Sequence, residues 1–293
     1  MESTRKRKGN HKPALIIGHR GASAVAPENT LAAFQIAIAL GADGIELDVQ
    51  LSADGEPVVI HDKRVDRTTD GTGYVSELAA AQLDALDAAW PFKQRLKTRP
   101  RLKARIEKLA GSLDPGCTLS RQPIPRLTTV LEQVAGASLA RIYVEIKGSE
   151  STRRELLTRT LSAIKRFNLD GVVTVLSFDH SMSPLTKHLA PALRTAVTIP
   201  GLVKGLPTAR SISQAAQAAK ADEVALHFSV VSPRIVSTLH EQGLEVSAWT
   251  ANRKLIMRRL VALGVDSIMT NHIDRLRSVV QGHDSRATNR RAG

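Results

Sequence analysis

The sequence predicts an α/β protein: a (β/α)8 TIM barrel with an insertion after the second strand. Three observations lead to this prediction. The 293 residues suit one large domain. Short apolar segments alternate with segments of helical periodicity from residue 14 almost to the end. Hydrophobic residues make up 42% of the chain but aromatic residues only 3%, and an aliphatic core of this kind suits parallel strands that are buried on both faces.

The short apolar segments are the predicted barrel strands, at residues 14–18, 44–49, 141–147, 172–177, 193–198, 223–227, 245–249 and 266–270. Helices are predicted between them, at residues 30–40, 153–167, 208–220, 233–242 and 253–263. Gly41 and Gly264 follow two of these helices, as glycine does at helix C-termini. Ser232 followed by Pro233 is typical of a helix start. An open, doubly wound sheet has the same alternation and is the alternative fold.

The segment after the second strand interrupts this alternation. Residues 57–61 and 74–78 look extended and are separated by turn-forming residues. Residues 79–89 then have a helical composition, and residues 93–108 are strongly basic. The third barrel strand begins only near residue 141. The predicted division of the chain is a basic disordered N-terminus over residues 1–12, a barrel domain over 13–278 with the insertion at about 52–124, and a flexible tail over 279–293.

Composition also predicts where the protein works. The single cysteine, Cys117, excludes an internal disulfide and favours a reducing compartment. The N-terminus is basic and polar, and no apolar run is long enough to cross a membrane. These features predict a cytoplasmic protein. The net charge of +13 is concentrated at both termini and in residues 93–108, without interleaved aromatics, so nucleic-acid binding is not expected.

The second strand carries the most informative pair of side chains. Glu46 and Asp48 lie on the same face of the strand, because side chains alternate along it. Two carboxylates on a buried strand repel each other unless a cation lies between them, and oxygen ligands favour Mg²⁺ or Ca²⁺. An ion pair with Arg or Lys is the alternative. The third strand places Glu145 and Lys147 on one face in the same way, which favours a three-carboxylate cation site over an internal Glu–Lys pair.

Two histidines follow predicted extended segments. His19 and Arg20 come directly after the first strand, where barrel enzymes place catalytic groups. His61 ends the segment that begins at residue 57. Each histidine alone is weak evidence, but two imidazoles near a carboxylate-bound cation make an acid–base pair.

These residues belong to an ordered series of motifs: His19-Arg20-Gly21, Pro27-Glu28-Asn29-Thr30, Glu46-Leu47-Asp48, His61-Asp62, Asp66-Arg67-Thr68-Thr69 and Val144-Glu145-Ile146-Lys147. The series resembles the signature of the glycerophosphodiester phosphodiesterase family. Residues 248–252 and 264–271 resemble the seventh and eighth strands of that family. The resemblance covers about residues 15–276. Where many relatives have Asp-x-Pro after the eighth strand, this chain has Asn271-His272-Ile273.

The resemblance implies metal-dependent hydrolysis of glycerophosphodiesters to glycerol 3-phosphate and an alcohol. It implies these roles: His19 and His61 as general acid and base; Glu46, Asp48 and Glu145 as ligands of one Mg²⁺ or Ca²⁺; Arg20 and Lys147 as phosphate contacts; Glu28 and Asn29 as supports of the first loop. Trp249, at the end of the seventh strand, is either an apolar wall for the glycerol or a packing residue.

Two other functions remain open at this point. The basic residues between 93 and 108 can attract an anionic membrane, which would suit lysophospholipase D-type hydrolysis of lysophospholipids at its surface. A solvated helical arm is the alternative interpretation of these residues. The basic composition also suits a non-enzymatic protein that binds anions or nucleic acid. The sequence predicts neither the preferred alcohol nor the oligomeric state.

Overall fold

The computed structural model describes residues 13–110, 120–201 and 207–292, with side chains of 107–110 and 284–292 left aside. The predicted N-terminal segment 1–12 and Cys117 lie outside the described residues.

The barrel is closed by parallel strands. These are β1 Leu15–His19, β2 Gly44–Leu51, β4 Arg141–Ile146, β5 Val173–Ser177, β6 Arg194–Ile199, β7 Glu223–His227, β8 Glu245–Trp249 and β9 Ser267–Thr270. Strand β1 pairs in parallel with both β2 and β9, so the sheet has no open edge in this ring. The predicted barrel is therefore confirmed, and the open doubly wound sheet is wrong. Each predicted strand lies within two residues of an observed one.

Helices lie between the strands. They are α1 Leu31–Ala39, α5 Leu127–Ala135, α6 Glu150–Arg166, α7 Met182–Leu189, α8 Ala209–Ala218, α9 Pro233–Glu241, α10 Lys254–Leu263 and α11 Ile273–Ala292. The predicted caps are present: Ser232 Oγ accepts the amide of Ile235, and Gly264 has φ 73° after α10. Helix α11 continues through most of the predicted tail, residues 279–293, whose flexibility stays a prediction.

Part of the insertion packs around a small core of its own, whereas Phe92, Leu96 and Ile106 of the insertion belong to the barrel core. Strand β3, Pro57–Val59, pairs antiparallel with β2, and a 3₁₀ turn over Val75–Glu77 precedes α2, Ala80–Asp84. The extended segment predicted at 74–78 is therefore wrong, and the predicted helix 79–89 is shorter. A hydrophobic cluster separate from the barrel core forms here from Val58, Ile60, Val65, Val75, Leu83, Ala88 and Ile124. The insertion is thus a compact cap on one side of the barrel mouth.

The basic segment forms two helices, α3 Trp90–Lys97 and α4 Pro100–Ala110. Not all of its charge faces water, because Lys93 pairs with Asp87 and Arg105 pairs with Asp274. Within the described part of the chain, none of the helices combines the length and apolarity that a membrane span needs.

Gly44 begins β2 at a point where three strands meet closely, and this contact yields a stability prediction. A Cβ atom there would lie 2.2 Å from the carbonyl oxygen of Arg141 and 2.8 Å from Ile17 Cδ1. We expect Gly44→Ala to lower the free energy of unfolding by about 3 kcal/mol or more, because backbone must move. Gly136→Ala is the matched control, since nothing lies within 4 Å of its Cβ position. Urea unfolding of both variants checks this, and equal midpoints would contradict it.

Candidate active site

Three carboxylates meet at the carboxyl ends of the first barrel strands. Asp48 on β2 is in register with Glu145 on β4, and Glu46 is in register with His19 on β1. All three carboxylates are buried, and oxygen atoms of Glu46, Asp48 and Glu145 lie within 4.8 Å of one another. We call these residues the carboxylate cluster. The alternation expected along β2 and β4 thus brings the predicted ligands together.

The oxygens of the carboxylate cluster suit a hard divalent cation. Asp48 Oδ1 and Glu145 Oε1 are buried and accept no hydrogen bond of good geometry. Lys147 Nζ forms ion pairs with them at 3.1 Å and 2.5 Å, and Arg20 Nε lies 3.1 Å from Asp48 Oδ2. Two positive side chains do not neutralise three carboxylates, and an all-oxygen donor set is the one that Mg²⁺ and Ca²⁺ prefer. The residues present therefore fit such an ion.

Burial and neighbouring charges shift the pKa values of the carboxylate cluster. Burial, with the charges of Asp48 and Glu145, raises the pKa of Glu46 well above its usual range. Burial and Asp48 raise the pKa of Glu145 to about 7. Although burial acts to raise it, Lys147 and Arg20 lower the pKa of Asp48. A bound cation would oppose the raised pKa values of Glu46 and Glu145, because it favours the ionised carboxylates.

His19 is held by a residue from the opposite end of the chain. Its Nδ1 donates to Asn271 Oδ1 at 2.8 Å, which leaves the Nε2 lone pair facing the site. Nε2 lies 3.9 Å from Glu46 Oε2 and 3.5 Å from Thr250 Oγ1. Burial and the charge of Arg20 lower the pKa of His19 to about 4. The ring is consequently neutral at pH 7 and able to accept a proton.

His61 follows β3 and borders the same cavity as His19. Its Nδ1 forms a 2.6 Å hydrogen bond with Asp62 Oδ1. Gln50 Nε2 donates to the carbonyl oxygen of His61 at 2.9 Å and also to that of Asp62, so β2 holds this turn directly. Burial lowers the pKa of His61, although Asp48 acts to raise it.

A chain of ion pairs joins the two sides of the site. Arg67 Nη1 and Nη2 donate to Glu28 at 2.9 Å and 2.8 Å, and its Nε donates to Asp62 Oδ2 at 2.5 Å. Glu28 Oε1 in turn accepts from Arg20 Nη1 at 2.8 Å. The guanidinium of Arg67 thereby connects the partner of His61 with the Arg20 that contacts Asp48.

Asn29 supports the carboxylate cluster from the first loop. It has φ 57°, a left-handed conformation that asparagine tolerates better than most residues. Its Nδ2 donates to Asp48 Oδ2 at 2.8 Å, and its Oδ1 accepts the backbone amide of Asp48 at 3.4 Å. Asn29 therefore fixes the orientation of one predicted ligand.

Two connected spaces adjoin the carboxylate cluster. A small cavity of about 70 Å³ lies toward β5–β9 and is bordered by His19, Trp249 and Met269. Trp249 Nε1 donates to the carbonyl oxygen of Ala225 at 3.0 Å, so the indole is both a wall and a packed residue. A groove of about 440 Å³ lies on the other side, and His61 borders both spaces.

The structure brings together all of the residues predicted from the sequence: His19, Arg20, Glu28, Asn29, Glu46, Asp48, His61, Glu145, Lys147 and Trp249. Sequence reasoning missed Asn271 and Gln50, and it assigned no role to Arg67. Asn271 directly follows the last barrel strand, a position that could have identified it. Gln50 lies on the same face of β2 as Glu46 and Asp48, so the two-residue alternation could have identified it as well.

Fold and site together place three buried carboxylates beside the cationic side chains of Arg20 and Lys147 in a parallel β/α barrel. A family model described as the glycerophosphoryl diester phosphodiesterase family matches residues 19–275. A glycerophosphodiester phosphodiesterase of Caldanaerobacter subterraneus subsp. tengcongensis is 34% identical over 271 residues, covering 91% of this chain and 98% of that protein.

Solved structures agree with this comparison. A glycerophosphodiester phosphodiesterase of Agrobacterium tumefaciens is 28% identical with a TM-score of 0.71, covering 91% of this chain and 100% of that one. An Oleispira antarctica phosphodiesterase, solved in complex with the product sn-glycerol-3-phosphate, shares the fold at 24% identity and a TM-score of 0.75, covering 92% and 97%. The chain belongs to the glycerophosphoryl diester phosphodiesterase family and is an enzyme of phosphoric diester hydrolysis.

Proposed function

We propose that the protein hydrolyses glycerophosphodiesters to glycerol 3-phosphate and an alcohol, with a divalent cation in the carboxylate cluster and two histidines in proton transfer. The observation that carries this proposal is the arrangement around one point. Three buried carboxylates lie beside Arg20 and Lys147, and His19 and His61 border the same cavity. A phosphate placed there would meet positive charge from the protein and a proton carrier at each end.

Glu46, Asp48 and Glu145 would hold the cation, either Mg²⁺ or Ca²⁺. When bound, the cation supplies positive charge to the phosphate oxygens and so favours attack at phosphorus. Arg20 and Lys147 contact the remaining phosphate oxygens, where a guanidinium fork and an ammonium point charge both suit an anion. Release of these two side chains from the carboxylates would accompany cation binding.

The two histidines have different surroundings, which support different roles. His19 is neutral and borders the small cavity, and its Nε2 lies 3.5 Å from Thr250 Oγ1, so it accepts the proton of the glycerol hydroxyl that attacks phosphorus. His61 borders the open groove, so it donates a proton to the leaving alcohol as the phosphorus–oxygen bond breaks. Departure of the alcohol leaves a cyclic phosphate, which water then opens with the proton roles of the two histidines reversed. Over both steps one water is consumed, and its two hydrogens are divided between glycerol 3-phosphate and the alcohol.

Chelation tests the cation. We expect EDTA to abolish release of glycerol 3-phosphate from glycerophosphocholine, and added Mg²⁺ or Ca²⁺ to restore it. Binding alone should also raise Tm, because a ligand at 100 times its Kd stabilises the native state by about 2.7 kcal/mol, or roughly 5 °C for a chain of this size. The rise should be larger at pH 8 than at pH 5.5, since Glu145, with a pKa of about 7, must lose its proton. Turnover and Tm that ignore both chelator and cation would contradict the proposal.

Contact with an anionic membrane through residues 93–108 stays a prediction, as does the cytoplasmic location. Trp90 is 46% exposed, and Arg99 and Arg101 are exposed on the same segment, which supports such a contact. Flotation with anionic vesicles tests it, and binding that survives charge reversal at Arg99 and Arg101 would contradict it. Lysophospholipase D-type hydrolysis is compared directly with glycerophosphodiester hydrolysis by using lysophosphatidylcholine in the same assay.

A further inference from the structure

The two spaces beside the carboxylate cluster differ greatly in size. The small cavity has about 70 Å³ and the groove about 440 Å³. One water molecule needs roughly 10–15 Å³ of such cavity volume. The small cavity could therefore hold roughly five water molecules, which is close to the number of heavy atoms in a glycerol. The groove is several times larger and opens to solvent. The two halves of a glycerophosphodiester differ in the same way, since the glycerol is small and constant and the alcohol headgroup varies.

His61 and Lys147 lie at the boundary between the two spaces. A phosphate at that boundary would direct one ester oxygen toward the small cavity and the other toward the groove. The groove continues past His61 between the turn after β3 and the loops that follow β4 and β5. It therefore lies where the departing alcohol must be, if the glycerol occupies the small cavity.

The ionisable side chains of the groove cancel in charge. Apart from Glu145 and Lys147, which are assigned to the cation and the phosphate, those that border it are Asp62 and Asp179 on the negative side and Lys63 and Arg153 on the positive side. Several are already paired with each other or with neighbours, as Arg153 is with Asp179 and Lys147 with Glu145. A groove of mixed and balanced charge offers many donors and acceptors but no net attraction for a charged group.

Phe178 gives the groove one aromatic surface. The side chain is 46% exposed and meets Trp249 edge-on, with ring centroids 5.5 Å apart. The ammonium of Lys147 already lies 5.7 Å from the centre of the Phe178 ring. A second cation beside this ring would be repelled by Lys147, whereas the C–H face of a polyol ring would pack against it.

We propose that this groove is the subsite for the leaving alcohol and that it favours neutral polyhydroxylated headgroups, of which inositol is the test case, over cationic amino alcohols. The proposal rests on the proposed function, because it divides the substrate of that same reaction between two subsites. Lys63 is the specificity-determining position at the rim: it is exposed and borders the groove but not the small cavity.

Substitutions of Lys63 test the groove by size and by charge. The substrates are the glycerophosphodiesters of methanol, choline and inositol, assayed by glycerol 3-phosphate release with the full-length protein and saturating Mg²⁺. Lys63→Trp narrows the groove and should lower kcat/KM for the inositol ester about tenfold or more relative to the methyl ester. Lys63→Glu changes the formal charge of the groove from zero to −2 and should raise the choline-to-inositol ratio of kcat/KM about threefold. Lys63→Ala and Lys165→Trp, an exposed lysine near the end of α6, are the controls.

The outcomes separate this proposal from the one on which it rests. If the wild-type protein does not turn over the methyl ester, the proposed function itself is overturned. If the wild-type protein turns over the methyl ester but Lys63→Trp lowers kcat/KM equally for all three esters, or for none, only the assignment of the groove is overturned. A wild-type preference of tenfold or more for the choline ester over the inositol ester would overturn the assignment to neutral polyols. Selective loss of the inositol ester in Lys63→Trp, absent in Lys165→Trp, supports it.

Discussion

Asp48→Asn is expected to lower kcat/KM by about 10³-fold or more. Asp48 is the most connected member of the carboxylate cluster, with Lys147 Nζ 3.1 Å from one oxygen and Arg20 Nε 3.1 Å from the other. The amide removes a negative charge from the proposed cation site and one ion-pair partner from each cationic side chain, which leaves Lys147 with Glu145 and Arg20 with Glu28. Loss of several kcal/mol of transition-state stabilisation corresponds to this factor, because each 1.36 kcal/mol is tenfold in rate.

Steady-state kinetics over a Mg²⁺ titration measure this effect, with Tm recorded for each variant. Glu132→Gln is the matched control, because it makes the same carboxylate-to-amide change at an exposed position on α5. The cation concentration for half-maximal activity should rise in Asp48→Asn and stay constant in the control. If Asp48→Asn keeps activity within tenfold at an unchanged cation requirement, Asp48 is not a ligand.

His61→Ala is expected to have the second largest effect, and its size should depend on the leaving group. A general acid contributes about 10²- to 10⁴-fold when the leaving alcohol is a poor one. We therefore expect a loss in this range with the choline ester, where the alkoxide needs a proton. With a p-nitrophenyl ester the leaving phenolate is stable, and the loss should shrink to about tenfold.

His19→Ala separates the two roles. As the base for the attacking hydroxyl, His19 matters whichever group leaves, so its removal should lower the turnover of both esters by similar factors. Equal losses of the choline and p-nitrophenyl esters in His61→Ala would show that His61 is not the acid. If instead the loss of turnover is smaller with the p-nitrophenyl ester in His19→Ala and not in His61→Ala, the acid and base roles of the two histidines are exchanged.

The fold and the carboxylate cluster could be predicted from the sequence because both depend on local patterns. Strand and helix periods are local, and two-residue alternation places Glu46 and Asp48 on one face of β2. Glu145 required one further step, since the pairing of neighbouring strands puts it in register with Asp48. The reaction and the role of each histidine came from resemblance, because a lone His-Arg or His-Asp pair is common in proteins of every function.

What escaped prediction depends on contacts between distant parts of the chain. The partner of His19 is Asn271, 252 residues away. Arg67 joins Glu28 across 39 residues while also bonding Asp62. The groove is formed by loops after different strands, and its balance of charges exists only once they meet. No pattern within a window of sequence contains such information.

The separate hydrophobic core of the insertion has a consequence for the two ends of the site. Substitutions among residues such as Val65, Val75 and Leu83 strain a cluster that shares no members with the core of the barrel. Gln50 on β2 meanwhile ties down the turn that carries His61 and Asp62. Changes in this cluster are therefore expected to move Lys63 and the rim of the groove more than the barrel strands that carry Glu46, Asp48 and Glu145. The headgroup end of the site and the cation end thus rest on two different hydrophobic cores.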